Sequence, residues 1–516
     1  MYLLSEARSV TSHLSFLSAI VALTAVAAAG DGPTRVTDFA ALHQYQEHAR
    51  IKALTAAGDH AAAVVLKTVD HRATRTVLWT TGDRGETWEM HNYSDTKRTA
   101  DYHPARIESC LGISSAGVLS MSIELSPVPG QARQFSYMRR FFDSMWFGTP
   151  ALVGPVHTEG EPMPAELSAT RRWRFLSRPG ITKTGTPYWL GGEADQQRGA
   201  AVNRGVFMGM TPSRILSGGD TVEPDAAVIG TAASIEAFSI SPLGSQIIAV
   251  VAVDRGYAGA GEWRVINRNL SAPENTPDVN HTLISQSGTW NGYPVRRFYL
   301  PAAGEVPGCN HPQRWAVAAD VIDSEDQDSL VIVNNELAFR EGTAVGGLVL
   351  SGPPMVLKLN LTNDLLMVWG AREPGASVTT LAAFLNGAPI LRVNDTVDTD
   401  GDGTPEADQV VTYIAPVAAI SEMASADGRL SVYISVHING APAIVRLRAP
   451  GTPPGGTSDF NGDGDFGTDQ DIEAFFACIG GTCCPTCGSA DFNADGDVAT
   501  DGDIEAFFRV LGGGSC

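Results

Sequence analysis

Over most of its length the chain repeats one local pattern: a short strand, a glycine-containing turn, and a second strand with apolar residues at alternate positions. "IESCLGISSAGVLSMSIEL" (107–125), "IEAFSISPLGSQIIAVVAV" (235–253) and "ISEMASADGRLSVYISVHI" (420–438) are three examples. A companion element, a strand running into a small polar turn, follows in several units. It appears as "SRILSGGDTVEP" (213–224), "LAFREGTAVGG" (337–347) and "APILRVNDTVDTD" (388–400), and Arg340 and Val393 hold matching places 53 residues apart. Alternation with period two marks extended chain with one buried face. A repeat of roughly 50–60 residues, about four strands each, is too small to bury both faces of its own sheet. Such units stack on their neighbours around an axis. The sequence therefore predicts a mainly β chain with a six- or seven-bladed β-propeller body. A pair of β-sandwiches or a less regular β solenoid are the competing arrangements. Helix is expected only in short pieces such as "FAALHQYQEHARIKAL" (39–54) and in the C-terminal tail.

The 516 residues and 43% hydrophobic content suit one large domain with a real core plus accessories. The formal net charge of −21 argues against nucleic acid as a partner. About half of that charge sits at the end. Residues 459–516 carry twelve Asp/Glu and one basic residue, Arg509. The start reads as an export signal over residues 1–29. Arg8 precedes the uncharged apolar run Leu14–Gly30, which ends in small residues around Ala27–Ala29. A mature chain outside the cytoplasm, secreted or at the cell surface and with no later membrane span, is expected. Five of the seven cysteines (Cys478, Cys483, Cys484, Cys487, Cys516) lie in the acidic tail. There they read better as disulfides bracing a thin core than as a zinc site. Their connectivity is open, as is the state of Cys110 and Cys309. "APGTPPGGTS" (449–458) is a Pro/Gly-rich linker between a body over 31–448 and a tail over 459–516.

The tail writes one block twice, 32 residues apart: "DFNGDGDFGTDQDIEAFF" (459–476) and "DFNADGDVATDGDIEAFF" (491–508). In the first copy Asp459, Asn461 and Asp463 take loop positions 1, 3 and 5, Gly464 turns the chain, and Asp465 offers a backbone carbonyl. Asp491, Asn493, Asp495, Gly496 and Asp497 do the same in the second copy. Alternate oxygens on a tightly curled backbone are what calcium requires. Position 12, where an EF-hand closes the shell, holds Gln470 and Gly502. A one-residue insertion would bring Asp471 and Asp503 into that role at the helix start, where negative charge also suits the dipole. Phe475, Phe476, Phe507 and Phe508 are then expected to form the tail's small core. A third spacing of the same kind, Asp398, Asp400, Asp402 before Gly403, reads as a calcium clip on a blade turn.

These paired "DFNxDGD…DIEAFF" blocks, with "CCPTCGSA" between them, resemble GC-type dockerin-like domains. The resemblance covers about 58 residues and implies docking to a protein partner, a cohesin or another. The longer loop and the added cysteines depart from ordinary dockerins. In the body, Thr81–Trp88 within "TVLWTTGDRGETWEM" resembles the Asp-box, S/T-x-D-x-G-x-T-W, of sialidase-like propellers. It implies a tight hairpin in which Asp83 accepts backbone N–H groups, Gly85 takes positive φ and Trp88 packs between sheets. That motif shapes a turn and is nearly silent on chemistry. An R-I-P-like arginine segment is absent, as are G-x-S-x-G, H-E-x-x-H and a P-loop. No catalytic residue is assigned. The expectation is a secreted calcium-binding protein whose tail anchors a binding scaffold, glycans being among its possible ligands. The alternative is a glycoside hydrolase anchored in the same way.

Overall fold

The computed structural model describes residues 34–37 and 50–511, except 70–72, 86, 92–101, 128–141, 152–153, 196–200, 226, 231–234, 255–261, 271–279, 287–288, 305–313, 325–326, 400–403, 422–428, 451–459, 462–466, 485–486, 488–489, 491 and 493–498. The signal-like run, Asp400 and Asp402 lie outside these residues.

Among the described residues the strands form seven sheets, taken as blades 1–7 in chain order, within residues 50–91, 102–158, 171–217, 221–285, 289–340, 344–391 and 396–450. The count is seven, within the expected range. Each repeated strand–turn–strand segment proves to be the first hairpin of a blade, formed by its innermost strand and the next one. Residues 107–125 span the junction of Tyr102–Ile113 and Leu119–Pro127, and residues 235–253 that of Ile235–Ile240 and Gln246–Asp254. The companion element is the outermost strand of one blade running into the turn before the next. Thus Glu336–Arg340 leads to Ala344–Val345, and Ala388–Leu391 to Thr396–Val397.

Five of the first-hairpin turns share a device. Ser114, Thr182, Ser241, Asn360 and Ser421 each follow an inner strand, and each accepts a backbone N–H from across the turn, from Val118, Thr186, Ser245, Asp364 and Ser431 (2.7–3.2 Å). A short polar side chain thereby replaces the ladder partner that the turning backbone has lost.

Blades bury their faces against one another, giving seven inter-blade cores. Blades 1 and 2 meet through residues such as Leu78 and Ile123, blades 4 and 5 through Ile248 and Val317, blades 6 and 7 through Val368 and Ile434. Ile51 and Val65 of blade 1 pack on Tyr433 and Ile444 of blade 7, which closes the ring. The N-terminal strand Thr34–Thr37 pairs antiparallel with Ala441–Pro450, so the last blade takes its outer strand from the start of the chain.

Two boundaries differ from expectation. Arg50–Leu54, expected to end a helix, opens the inner strand Arg50–Ala57. Its Ala, Leu and Lys residues favour helix weakly, and pairing with His60–Val69 plus burial between blades 7 and 1 overrides that preference. The body strand also runs to Pro450, two residues past the expected linker boundary, because Ala449 and Pro450 still pair with Leu430 and Arg429.

Every inner strand shifts register against its neighbour at least once. In three of them the shift falls on a left-handed residue followed by proline: Arg178-Pro179, Leu300-Pro301 and Gly352-Pro353, with φ of 50°, 48° and 71°. Proline cannot donate to a ladder and a bulge twists the edge away, so the strand edges facing the axis are blunted against pairing. Just beyond the first of these, a Cβ on Gly180 would lie 2.2 Å from the Tyr188 ring, so only glycine fits there.

Candidate functional site

In the tail the two repeats form helices α1 (Asp469–Ile479) and α2 (Asp501–Leu511). Four phenylalanines make the core between them: Phe460 and Phe475 from the first repeat, Phe492 and Phe507 from the second. Phe475 and Phe507 stack with ring centroids 4.0 Å apart. Phe476 and Phe508, expected in that core, instead point outward at 42% and 48% exposure, their rings 6.1 Å apart. Adjacent helical residues sit about 100° apart around the axis, so one helix face cannot take both members of an "FF" pair.

The carboxylate of Asp471 is buried and fully engaged. Its Oδ1 accepts the N–H groups of Phe460 (2.8 Å) and Asn461 (3.2 Å), and its Oδ2 accepts the N–H (2.8 Å) and hydroxyl (2.9 Å) of Thr468. Thr468 is the N-cap of α1 and completes a capping box with Asp471. Burial raises the pKa of this carboxyl, but those four donors outweigh it and hold the group below the ordinary carboxylate range. In the second repeat the Thr500 N–H (2.7 Å) and hydroxyl (2.9 Å) donate in the same way to Asp503, which is also fully buried. Asp471 fastens the loop's first residues to the helix start, and Asp503 caps its helix as Asp471 does. The T-x-x-D spacing of Thr468 with Asp471 and of Thr500 with Asp503 is the local signal for both caps.

Asp459, Asp463, Asp465, Asp491, Asn493, Asp495 and Asp497 lie outside the described residues. Asn461 is described through its N–H bond to Asp471. Among the described residues no three His, Cys, Asp or Glu side chains stand close enough to hold a metal. Asp398, at the end of the turn strand Thr396–Val397, is buried. Cys478 pairs with Cys483 and Cys484 with Cys487, bracing the connection between the repeats. Among the described residues no helix is long and apolar enough to cross a membrane.

In blade 1 the Asp-box has the expected geometry. Thr81 donates its hydroxyl to Asp83 Oδ1 (2.6 Å), and Thr87 donates its N–H to Oδ1 (2.9 Å) and its hydroxyl to Oδ2 (2.5 Å). Burial works to raise the Asp83 pKa, but these bonds bring it down to about 2. Gly85 has φ 86°, and the ring of Trp88 meets Tyr433 of blade 7 edge-on at 6.2 Å. The box pins blade 1 to blade 7 where the ring closes.

The sequence did not single out a polar cluster on blade 5. Arg297, on the inner strand Tyr293–Ala303, donates from Nε to Asp320 Oδ2 (2.6 Å), and its guanidinium lies 5.0 Å from the centroid of Tyr299. The Tyr299 hydroxyl and the Asp320 carboxylate are buried beside one another. Burial, with the Asp320 charge beside it, pushes the Tyr299 phenol far above its ordinary value. Nearby, Arg340 reaches Asp323 (2.6 Å) and the Tyr293 hydroxyl (3.2 Å). The cluster is legible only after folding, since its members come from three strands.

No protein-family model matches the chain, and no curated protein matches it. Solved structures are similar in fold at low identity. The β-propeller domain of the Trilobed protease from Pyrococcus furiosus is 7% identical, with 78% of this chain and 96% of that one covered and a TM-score of 0.38. An acylaminoacyl peptidase from Pyrococcus horikoshii is 7% identical over 78% of this chain and 53% of that one, TM-score 0.40. A Trypanosoma rangeli sialidase in complex with the inhibitor DANA is 8% identical over 77% and 54%, TM-score 0.32. This chain spans about half the length of the latter two.

Proposed function

We propose that this is an extracellular scaffold protein. In this reading the C-terminal helix pair docks the propeller onto a protein partner, and calcium shapes the docking module. The observation that carries it is the symmetry of the tail. The two repeats bury matching phenylalanines, cap their helices with matching Thr–Asp pairs, and leave Phe476 and Phe508 side by side in solvent. An exposed aromatic pair on so small a module suits a contact surface. Calcium would be held by Asp459, Asn461, Asp463 and the Asp465 carbonyl, and by Asp491, Asn493, Asp495 and the Asp497 carbonyl. Asp471, with every acceptor site occupied, would keep the first turn of its loop in place.

The test uses the full-length chain. Calorimetric titration with calcium is expected to show uptake, and calcium should slow hydrogen exchange in residues 469–479 and 501–511. Binding to an immobilised cohesin domain, abolished by Phe476→Asp with Phe508→Asp, would identify the partner class. No uptake and no change in exchange would refute the calcium-shaped module.

A second reading, hydrolysis in the propeller, draws on the blade 5 cluster, where Tyr299, Asp320 and Arg297 lie together. A tyrosine nucleophile needs a phenol that ionises readily, and here burial holds Tyr299 protonated. The balance favours the scaffold. Hydrolysis of an aryl glycoside by the purified chain, lost in Tyr299→Phe, would reverse it.

A further inference from the structure

Among the described residues, asparagine followed by glycine turns the chain at three places: Asn291-Gly292 in blade 5, Asn386-Gly387 in blade 6 and Asn439-Gly440 in blade 7. The three turns share one backbone, with φ of 48° then 86°, 49° then 82°, and 49° then 84°. Left-handed φ at both positions is the two-residue hairpin geometry that favours Asn-Gly. All three asparagines are exposed, so exposure does not tell them apart. The bonds to each amide do. Asn386 Nδ2 donates to Asp364 Oδ1 at 2.7 Å, and its Oδ1 accepts the Leu365 N–H at 2.8 Å. Asn439 Nδ2 donates to the Asp408 carbonyl at 2.7 Å, and its Oδ1 accepts the Val410 N–H at 3.3 Å. The N–H that follows, that of Gly440, donates to the Thr412 hydroxyl at 3.0 Å. Both amides clip their turn to the adjoining strand. Among the described residues neither the Asn291 amide nor the Gly292 N–H makes a hydrogen bond.

We propose that Asn291 is a site of spontaneous deamidation. The Gly292 nitrogen attacks Asn291 Cγ. An N–Cγ bond forms, the Cγ–NH2 bond breaks, and ammonia leaves carrying the Gly292 proton. Water then opens the cyclic imide at either carbonyl. One opening gives aspartate, and the other gives isoaspartate, whose main chain runs through Cβ and Cγ. Glycine favours the attack because no Cβ crowds its nitrogen. A Cβ built on Gly292 would meet nothing within 4 Å, so the tip stands clear of the blade. The turn must open for the nitrogen to reach Cγ, and here little opposes opening. The strand before Asn291 pairs through Thr289 and Trp290 alone, whereas Arg429–Ile438 and Ala441–Pro450 pair at ten positions around Asn439. Isoaspartate inserts an extra main-chain carbon, which shifts Thr289 and Trp290 against Pro294 and Tyr293. Trp290 is 7% exposed in the core between blades 4 and 5 and donates to Asn335 Oδ1 at 2.8 Å, so the conversion loosens a core side chain.

The experiment ages the full-length chain in mildly alkaline buffer and follows conversion at the three asparagines by peptide mass spectrometry. A parallel sample in guanidinium chloride supplies the unfolded rates and needs no variant. Unfolded, the three sites should convert at similar rates. Folded, Asn291 should convert at least about tenfold faster than Asn386 and Asn439, the effect of the hydrogen bonds that hold those two. Isoaspartate methyltransferase should label the same Asn291 peptide. Equal rates at all three sites in the folded chain overturn the proposal. So does the same ranking in the unfolded chain, which would assign the difference to neighbouring residues. Hydrogen exchange over residues 289–303 should be faster in the converted protein, and unchanged exchange there overturns the loosening of Trp290.

Discussion

Replacing Asp471 with alanine tests how the tail is held together. The side chain is 0% exposed and its two oxygens accept four donors, three backbone N–H groups and one hydroxyl. Loss of the cap costs about 1 kcal/mol. Each buried N–H left without a partner costs about 1–3 kcal/mol. With the Phe460 and Asn461 N–H groups both stranded, about 4 kcal/mol is expected in total. That matches the whole stability a core of this size supplies, about 3–5 kcal/mol, so α1 should melt in the variant. The assay is hydrogen exchange by mass spectrometry on the full-length chain without calcium, following residues 469–479. A change of 4 kcal/mol speeds exchange roughly a thousandfold. Asp471→Asn should fall between, since its amide oxygen still serves Phe460 and Asn461 while its NH2 meets the Thr468 donors. Asp469→Ala, at an exposed helix position, is the control and should change little. If Asp471→Ala alters exchange by less than about tenfold, or if Asp469→Ala matches it, the capping argument is wrong. The pH dependence follows in sign. The Asp471 carboxyl is held low in the folded tail, so its contribution is present above the ordinary carboxylate range and is lost as pH falls below it.

Three further outcomes are expected. Asp83→Ala should weaken ring closure by about 1–2 kcal/mol, lowering the thermal midpoint by about 2 °C; its contribution is present above pH 3.8 and fades as pH falls toward about 2, and an unchanged melt would contradict it. Glu193, 0% exposed on blade 3, is held by Arg171 and by Arg214 at 2.5 Å, so Glu193→Gln should cost about 3–5 kcal/mol in denaturant unfolding, and a cost within error of zero would rule this out. Burial lowers the His157 pKa from 6.5 to about 4, so this group costs nothing above pH 6.5 and destabilises progressively as pH falls to 4, by roughly 3 kcal/mol at most. His157→Phe should flatten that part of the stability profile relative to wild type, and parallel profiles for the two proteins would refute the assignment.

Signals confined to a few residues were legible beforehand. The Asp-box bonds, the first hairpins and the helices at Asp469–Ile479 and Asp501–Leu511 all form between residues less than about twenty apart. Their turn and capping chemistry is therefore written in order along the chain. The segment Arg50–Leu54 misled for the complementary reason. Its composition favours helix by tenths of a kcal/mol per residue, whereas pairing and burial between two blades supply more, and neither partner is near in sequence. In each "FF" pair the angular step around the helix, not composition, sends one ring in and the other out.

By itself the sequence determined a β body of repeated hairpins and a twinned acidic tail with helix starts, because turns, caps and strand alternation are settled by neighbours. Tertiary structure alone decided three things. It matched Thr34–Thr37 to Ala441–Pro450, brought Tyr299, Asp320 and Arg297 together, and pressed His157 between Trp173 and Trp189. Each of these joins groups from different strands, blades or ends of the chain. Ring closure fixes such distances all at once, and no local preference encodes them.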